Sequence, residues 1–423
     1  MDILFLIINS IIWFFFFKHL KKKYGFINVG VLYTLLYFLL SIMAIHLYVT
    51  VTRPDDYPWQ GQNFFALLYL FFFIVLFSRV LAKGTYDKQC IAHPSNTYLM
   101  PIYIIIIILS LLNVITVSQD FFTGIISLAT EDSYGQSLYH ELSQSAHSVH
   151  SGGVINYISV VSNISQGLAP ILFLYYLTTP KKKSIIVIGL GIAAFISLMQ
   201  AISVGSRSAI LQGLMNIGGG LLVLYRYYSS KIIRIIRPVF IIIFAIIASG
   251  FTFITISRLQ TNNLNSFFFL ETYASQSYLL FGHYGFDNGQ VRNGDRTMPL
   301  VKSVFTKDVA RTYGEREIKY NRMKLNESVF VTFVGDCVFD YGVFGGAFFL
   351  MCLYLLIRFF LINKRKILYF DQVLISYLVI FLLNGFYLWP FPDFGGNLLF
   401  CSLIFLALFF RTKRHESKIC KPE

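Results

Sequence analysis

Charge is what this chain has least of: Asp, Glu, Lys and Arg together make up 13% of its 423 residues, against 56% apolar side chains and a mean hydropathy of +0.63. A water-soluble fold is thereby excluded, because so much apolar surface cannot be covered by a polar exterior. No Lys, Arg, Asp or Glu stands in the middle of a long apolar run, and Asp371 lies near the start of its own. That absence tells against an ion-coupled transporter, which carries titratable groups at the bilayer midplane. Cysteine is sparse as well: of Cys90, Cys337, Cys352, Cys401 and Cys420, only Cys337 falls on the side read below as oxidising, so no disulfide framework is implied. There is no Ser-His-Asp set, no Walker loop, no Rossmann glycine pattern, no internal repeat and no Gly/Ser- or Pro-rich linker. The chain therefore reads as a single membrane domain over residues 1–423. Its first residues, Met1-Asp2-Ile3, lack the positive start of a secretory signal and read as a retained first helix.

What the sequence has in quantity is continuous apolar runs of about 20 residues, the length needed to cross a bilayer as a helix. They fall near 3–17, 26–48, 63–82, 97–117, 154–177, 184–204, 208–226, 238–256, 343–362, 367–388 and 398–410, which predicts 11 spans. The runs are unbroken, as in Ile104–Leu112 and Phe240–Ile247, and a β-barrel would instead alternate with period two. The expected class is an all-α polytopic integral membrane protein.

The net charge of +14 comes largely from short basic clusters that follow apolar runs, such as Lys21-Lys22-Lys23, Lys181-Lys182-Lys183 and Lys364-Arg365-Lys366. They lack the interleaving of a nucleic-acid surface and serve instead to orient loops. Putting the first cluster in the cytoplasm and alternating sides places 23 of the 35 Lys and Arg inside and 12 outside. Every short loop then obeys the positive-inside rule, with the N-terminus outside and the C-terminus inside.

Three segments face outward in this scheme. Residues 49–62 carry Asp55-Asp56 between prolines, which fits a turn better than a cation site. Residues 118–153 hold His140, His147 and His150 in a loose metal-like spacing but offer no Cys, and no metal is expected. The long loop 257–342 is the main extracytoplasmic feature. It opens on Ser257-Arg258, continues through the apolar amphipathic stretch Phe267–Phe281, expected to lie in the interface, and then turns polar.

Gly205-Ser206-Arg207-Ser208-Ala209 lies where two uncharged apolar runs meet at the outer boundary. A lone arginine there opposes both the charge rule and the dipole of the helix that follows, and an anionic ligand resolves both conflicts. Ser206 is a suitable N-cap, so the first free N–H groups and the guanidinium converge on one anion cradle that also includes Ser208. Arg258 follows a span directly and sits at the same depth, where two arginines can hold a diphosphate. Arg292, Arg296 and Arg311 are further basic candidates for substrate contact, set in a loop whose mixed charges otherwise read as a solvated face. Asp336 and Asp340, four apart at the start of the ninth span, share a helical face and are candidate general bases or simple caps. His283, in Gly282-His283-Tyr284-Gly285, is a lesser candidate base.

Together, Gly205–Ala209 at an outer helix junction, the long outer loop two spans later and the Gly335-Asp336 to Gly345 segment resemble the Wzy-type O-antigen and capsule repeat-unit polymerases. Arg207 and Gly218 also fit an Arg-x10-Gly pattern of that family, and no second copy starts from an arginine of the long loop. The resemblance implies a GT-C-like fold and glycosyl transfer at the outer face of a bacterial inner membrane, with no cofactor. An undecaprenyl-diphosphate-linked glycan is the donor and the end sugar of another lipid-linked repeat is the acceptor. Arg207 and Arg258 would stabilise the leaving diphosphate, and Asp336, Asp340 or His283 would take the hydroxyl proton. Its implied membrane partners are a chain-length regulator and a flippase. Alternatives are an O-antigen ligase, with the same chemistry and a different acceptor, and a lipid-linked oligosaccharide flippase, for which short loops would be expected.

Overall fold

The computed structural model describes residues 1–50, 59–86, 90–112, 168–203, 207–249, 266–362, 366–386, 389–411 and 415–420, apart from short gaps within them. Its elements in chain order are α1 (Asp2–Tyr24), α2 (Val29–Thr50), α3 (Phe64–Tyr86), β1 (Cys90–Pro94), α4 (Asn96–Leu112), α5 (Ser184–Ser203), α6 (Arg207–Leu224), α7 (Ser266–Tyr284), α8 (Pro299–Phe305), α9 (Tyr313–Lys319), α10 (Phe333–Leu361), β2 (Lys366–Leu368), α11 (Tyr369–Asn384), α12 (Asp393–Arg411) and β3 (His415–Cys420). Residues 168–176 and 230–239 are helical as well. Among the described residues, α1, α2, α3 and α10 contain stretches long and apolar enough to cross a membrane, and the shorter α4, α5, α11 and α12 are apolar too. Large side chains such as Phe15, Phe65, Ile185, Phe344 and Phe348 point outward and are exposed. Apolar surface of that extent suits a lipid environment, so the chain is a helical membrane protein.

Two compact units share the chain. One comprises Met1–Lys88, Phe267–Lys364 and Phe381–Ser402, and the other Gln89–Ser266, Arg365–Ile380 and Leu403–Glu423. In the first unit, α1, α2 and α3 pack as a bundle around Trp13, which is fully buried, stacks on Tyr37 at 5.4 Å and meets Phe71 edge-on at 4.7 Å. The α2–α3 crossing is close enough to require glycine: a Cβ on Gly30 would collide with the backbone of Ser78 and Ala82. At one end of this bundle Asn28 bonds the carbonyl of Ala82, and Gly84 lies against Leu361 at the end of α10. At the other end Asp2 accepts from Tyr48 and from the Gly61 amide. The charge count assigns the first group of segments to the inside and the second to the outside, and each group gathers at its own end.

The stretch expected to lie in the interface, Phe267–Phe281, is instead packed into this bundle as α7. Its polar groups find partners inside: Glu271 pairs with His46 at 2.6 Å, Ser277 donates to the carbonyl of Phe386, and the Tyr278 hydroxyl meets Asn9 and the indole N–H of Trp13. Gln62 and Asn63, just before α3, bond the carbonyls of Leu279 and Gly282. Polarity that resembled a water-facing side is therefore consumed by contacts with α1, α2 and the carbonyl of Phe386.

In the second unit, α4 packs on α5 and α5 on α6. One feature departs from an all-α architecture: β1 pairs with β2 in parallel, Cys90 opposite Lys366, and with β3 antiparallel, Cys90 opposite Cys420. All three strands lie in or directly beside loops that the charge count places in the cytoplasm. Strands of one sheet must lie on one side of a bilayer, and this pairing meets that condition.

Candidate functional site

The polar centre of the first unit forms at the start of α10. Thr332 caps that helix by accepting from the Gly335 amide at 3.1 Å, and Asp336 occupies its first turn, where a carboxylate complements the helix dipole. One turn later Asp340 lies on the same face, as the four-residue spacing predicts. The helix is interrupted at Gly342 (φ 73, ψ 176), a conformation open essentially only to glycine, before continuing as an apolar span.

Facing these carboxylates is the turn 289–296 between α7 and α8. Positive φ at Gly289, Asn293 and Gly294 coils the backbone, and the Arg292 amide donates to the carbonyl of Phe339 at 2.9 Å. The Arg292 side chain is thereby driven inward and is 1% exposed. Its guanidinium engages three carboxylates: Nη1 donates to Glu327 at 2.7 Å, Nη2 to Asp336 Oδ1 at 3.0 Å, and Nε lies 2.6 Å from Asp340 Oδ1. Arg296 reaches Asp336 at 3.2 Å and Glu327 at 3.3 Å, and Arg316 Nε donates to Glu327 at 3.0 Å. Three arginines thus meet three carboxylates, and the buried charge balances.

Neutral neighbours complete the set. Asp340 Oδ2 accepts from the Thr297 amide at 2.7 Å and from its hydroxyl at 2.6 Å, and Asp336 Oδ2 accepts from the Trp389 amide at 2.8 Å. Burial disfavours the charged form of Glu327, but Arg292, Arg296 and Arg316 outweigh it and hold its carboxyl well below the usual range. Burial likewise works against the Arg292 cation, and Asp340, Glu327 and Asp336 reverse it and raise its pKa. A second, smaller cluster adjoins: Asp295 pairs with Lys302 and, at 3.0 Å, with Lys319, and accepts from Tyr320 at 2.6 Å. Desolvation of Asp295 is outweighed by these donors, and its carboxyl is depressed.

The structure brings Arg292, Arg296, Asp336 and Asp340 into one network. It places Arg311 outside that network, exposed, with its guanidinium 4.9 Å from the Phe394 ring centroid. His283 ends α7, stacked edge-on against Tyr284, and its buried Nδ1 has no hydrogen-bond partner among the described residues. Arg207 and Ser208 open α6, close to the predicted start of that helix. Ser206, Arg258, Asp55-Asp56 and the loop 118–153 with its three histidines lie outside the described residues. No group of three or more His, Cys, Asp or Glu suited to a metal ion occurs among the described residues.

Glu327, Arg316, Thr297 and Trp389 belong to the network although nothing in their own surroundings in the sequence marks them. A trace was present in Asp336 and Asp340, four apart on a helix so that both carboxylates share one face, whereas Arg292 and Arg296 have the same spacing on a turn where it fixes no face. Searches for relatives add no residue roles: no protein-family model, characterised protein or solved structure matches the chain.

Proposed function

We propose that this protein is a membrane glycosyltransferase that polymerises lipid-diphosphate-linked oligosaccharide repeats on the outer face of a bacterial inner membrane, as its resemblance to Wzy-type polymerases implies. The observation that carries this reading is the folded segment from residue 285 to the start of α10, at the end of the first unit that also holds Asp2 and Gly61. A flippase with short loops would have no use for a folded polar surface there. In this reading the chain crosses the bilayer 11 times in a GT-C-like arrangement, with its N-terminus periplasmic and its C-terminus cytoplasmic.

The resemblance supplies the role of Arg207 and Arg258, and the contacts within the first unit supply those of the other residues. Arg207 and Arg258 hold the diphosphate and neutralise the charge that develops as it leaves. Asp336 and Asp340 are both fully buried and engaged with arginine, so their part is to fix Arg292 and Arg296 rather than to collect a proton. His283, half-buried near the end of α7 and in no ion pair among the described residues, is the better base for the acceptor hydroxyl. Arg296 at the edge of the network and the exposed Arg311 supply cationic contacts to the incoming lipid-linked repeat. No metal is needed in this scheme, and a flippase and a chain-length regulator are its partners.

A gel of surface lipopolysaccharide from a deletion strain tests the assignment. Core capped with one repeat is the polymerase result. Bare core would mean that the chain is a ligase or a flippase.

A further inference from the structure

The second unit contains a cavity of about 520 Å³, within the range of about 300–1,000 Å³ typical of ligand pockets. Its wall is apolar, formed by residues of the helix 168–176, of α5 and α6, and of the helix 230–239, and Lys182 is its one charged lining residue among the described residues. Lys182 marks one end. On α5 the lining runs from Val187 to Phe195, about 12 Å of helix. It opens sideways, because Phe195, Ile235 and Val239 line it and are also exposed by 56%, 58% and 48%.

Helix 230–239 is built for such a place. Ile232, Ile235, Ile236 and Val239, spaced as one helical face, line the cavity, and the exposed Lys231, Arg234 and Arg237 fall on the remaining surface. No Asp or Glu occurs anywhere between residues 142 and 270, whereas nine Lys or Arg do. No acidic side chain within that stretch can therefore neutralise Lys182 and its basic neighbours, and burial pulls the Lys182 ammonium down from its ordinary value. An apolar slot that opens toward lipid, with at its loop end a cation that makes no ion pair among the described residues, has the chemistry of a phospholipid site: chain inside, phosphate at the lysine.

We propose that this groove holds one acyl chain of an anionic glycerophospholipid, with the headgroup phosphate paired to Lys182 on the side that the charge count assigns to the cytoplasm. The inference is independent of glycosyl transfer. It would hold for a membrane protein of any activity with this second unit.

The test uses the full chain in nanodiscs carrying a phosphatidylglycerol probe with a diazirine at mid-chain, or the matching phosphatidylcholine probe, with labelled residues mapped by mass spectrometry. The expected result is labelling concentrated on residues 170–195 and 232–239, at least fivefold stronger for phosphatidylglycerol. Lys182→Gln should remove most of that preference, and Leu221→Trp, which fills the slot, should remove the labelling itself, while labelling of the exposed face of α1 at Ile7 and Phe15 stays unchanged. Equal labelling by the two probes on the unaltered protein would overturn the proposal without recourse to any variant. So would displacement of the probe by undecaprenyl phosphate at concentrations where phosphatidylglycerol does not compete, since the groove would then belong to a polyprenyl lipid.

Discussion

Arg292 shows how a single buried cation can organise a platform, and its neighbours make that testable by pH. Glu327 has its pKa lowered from 4.5 in the folded state, so its contribution to stability is fully present above about pH 4.5 and is lost as the pH falls through the depressed folded value. The protein in detergent should therefore melt at a lower temperature at about pH 4 than at neutral pH. Glu327→Gln should lower the melting temperature at neutral pH and flatten that dependence, because it leaves Arg292, Arg296 and Arg316 short of one negative charge. An unchanged slope in the variant would assign the acid sensitivity to other groups. Arg207 makes a different demand. A side chain that merely snorkels needs charge and length, and Lys would replace it silently. A diphosphate clamp needs the planar fork. Arg207→Ala should then reduce turnover about 10²–10³-fold, with Lys in between and the protein level in the membrane unchanged. Normal chain lengths from the Ala strain would make Arg207 structural.

At the scale of elements, α10 is two helices joined at one residue. Gly342 has φ 73 and ψ 176, and a Cβ there would meet only Val291 at 3.8 Å, so the obstacle to substitution is the backbone and not space. Gly342→Ala should cost about 1–3 kcal/mol, and Gly342→Asn should do no better, because asparagine tolerates the left-handed helical region but not this one. Thermal melts of the two variants check this, and rescue by Asn would mean that the kink relaxes. The helices themselves were largely legible in the sequence, because hydropathy over about 20 residues is set by local composition. α5 and α6 start within a residue of the predicted runs. α7 was misread because Glu271, Thr272, Ser275, Gln276 and Ser277 give it a polar side, and nothing local shows that Asn9, Trp13, His46 and Gln62 lie near enough to contact it. The carboxylates of α10 were visible as a pair, but their partner Arg292 lies 44 residues before Asp336 and is held there by a turn whose positive φ values no spacing announces. The β-sheet was hidden for the same reason: it joins segments around residues 90, 367 and 418 through backbone groups alone.

For the whole molecule, the alternating topology proposed from the charge count puts the long loop outside and the 178–183 loop inside. A cysteine replacing the exposed Lys307 should react with a membrane-impermeant maleimide in intact cells with a permeabilised outer membrane, and one replacing Lys183 should not. The reverse would put Arg207 in the cytoplasm and end the diphosphate account. The central claim, that this chain joins lipid-linked repeats, is tested most directly by giving the purified protein one synthetic undecaprenyl-diphosphate-linked repeat unit in the presence of EDTA and separating the products by size. A polymerase should give a ladder of two, three and more repeats without added metal. No product longer than the starting unit, or a product formed only when lipid A core is supplied as acceptor, would contradict it.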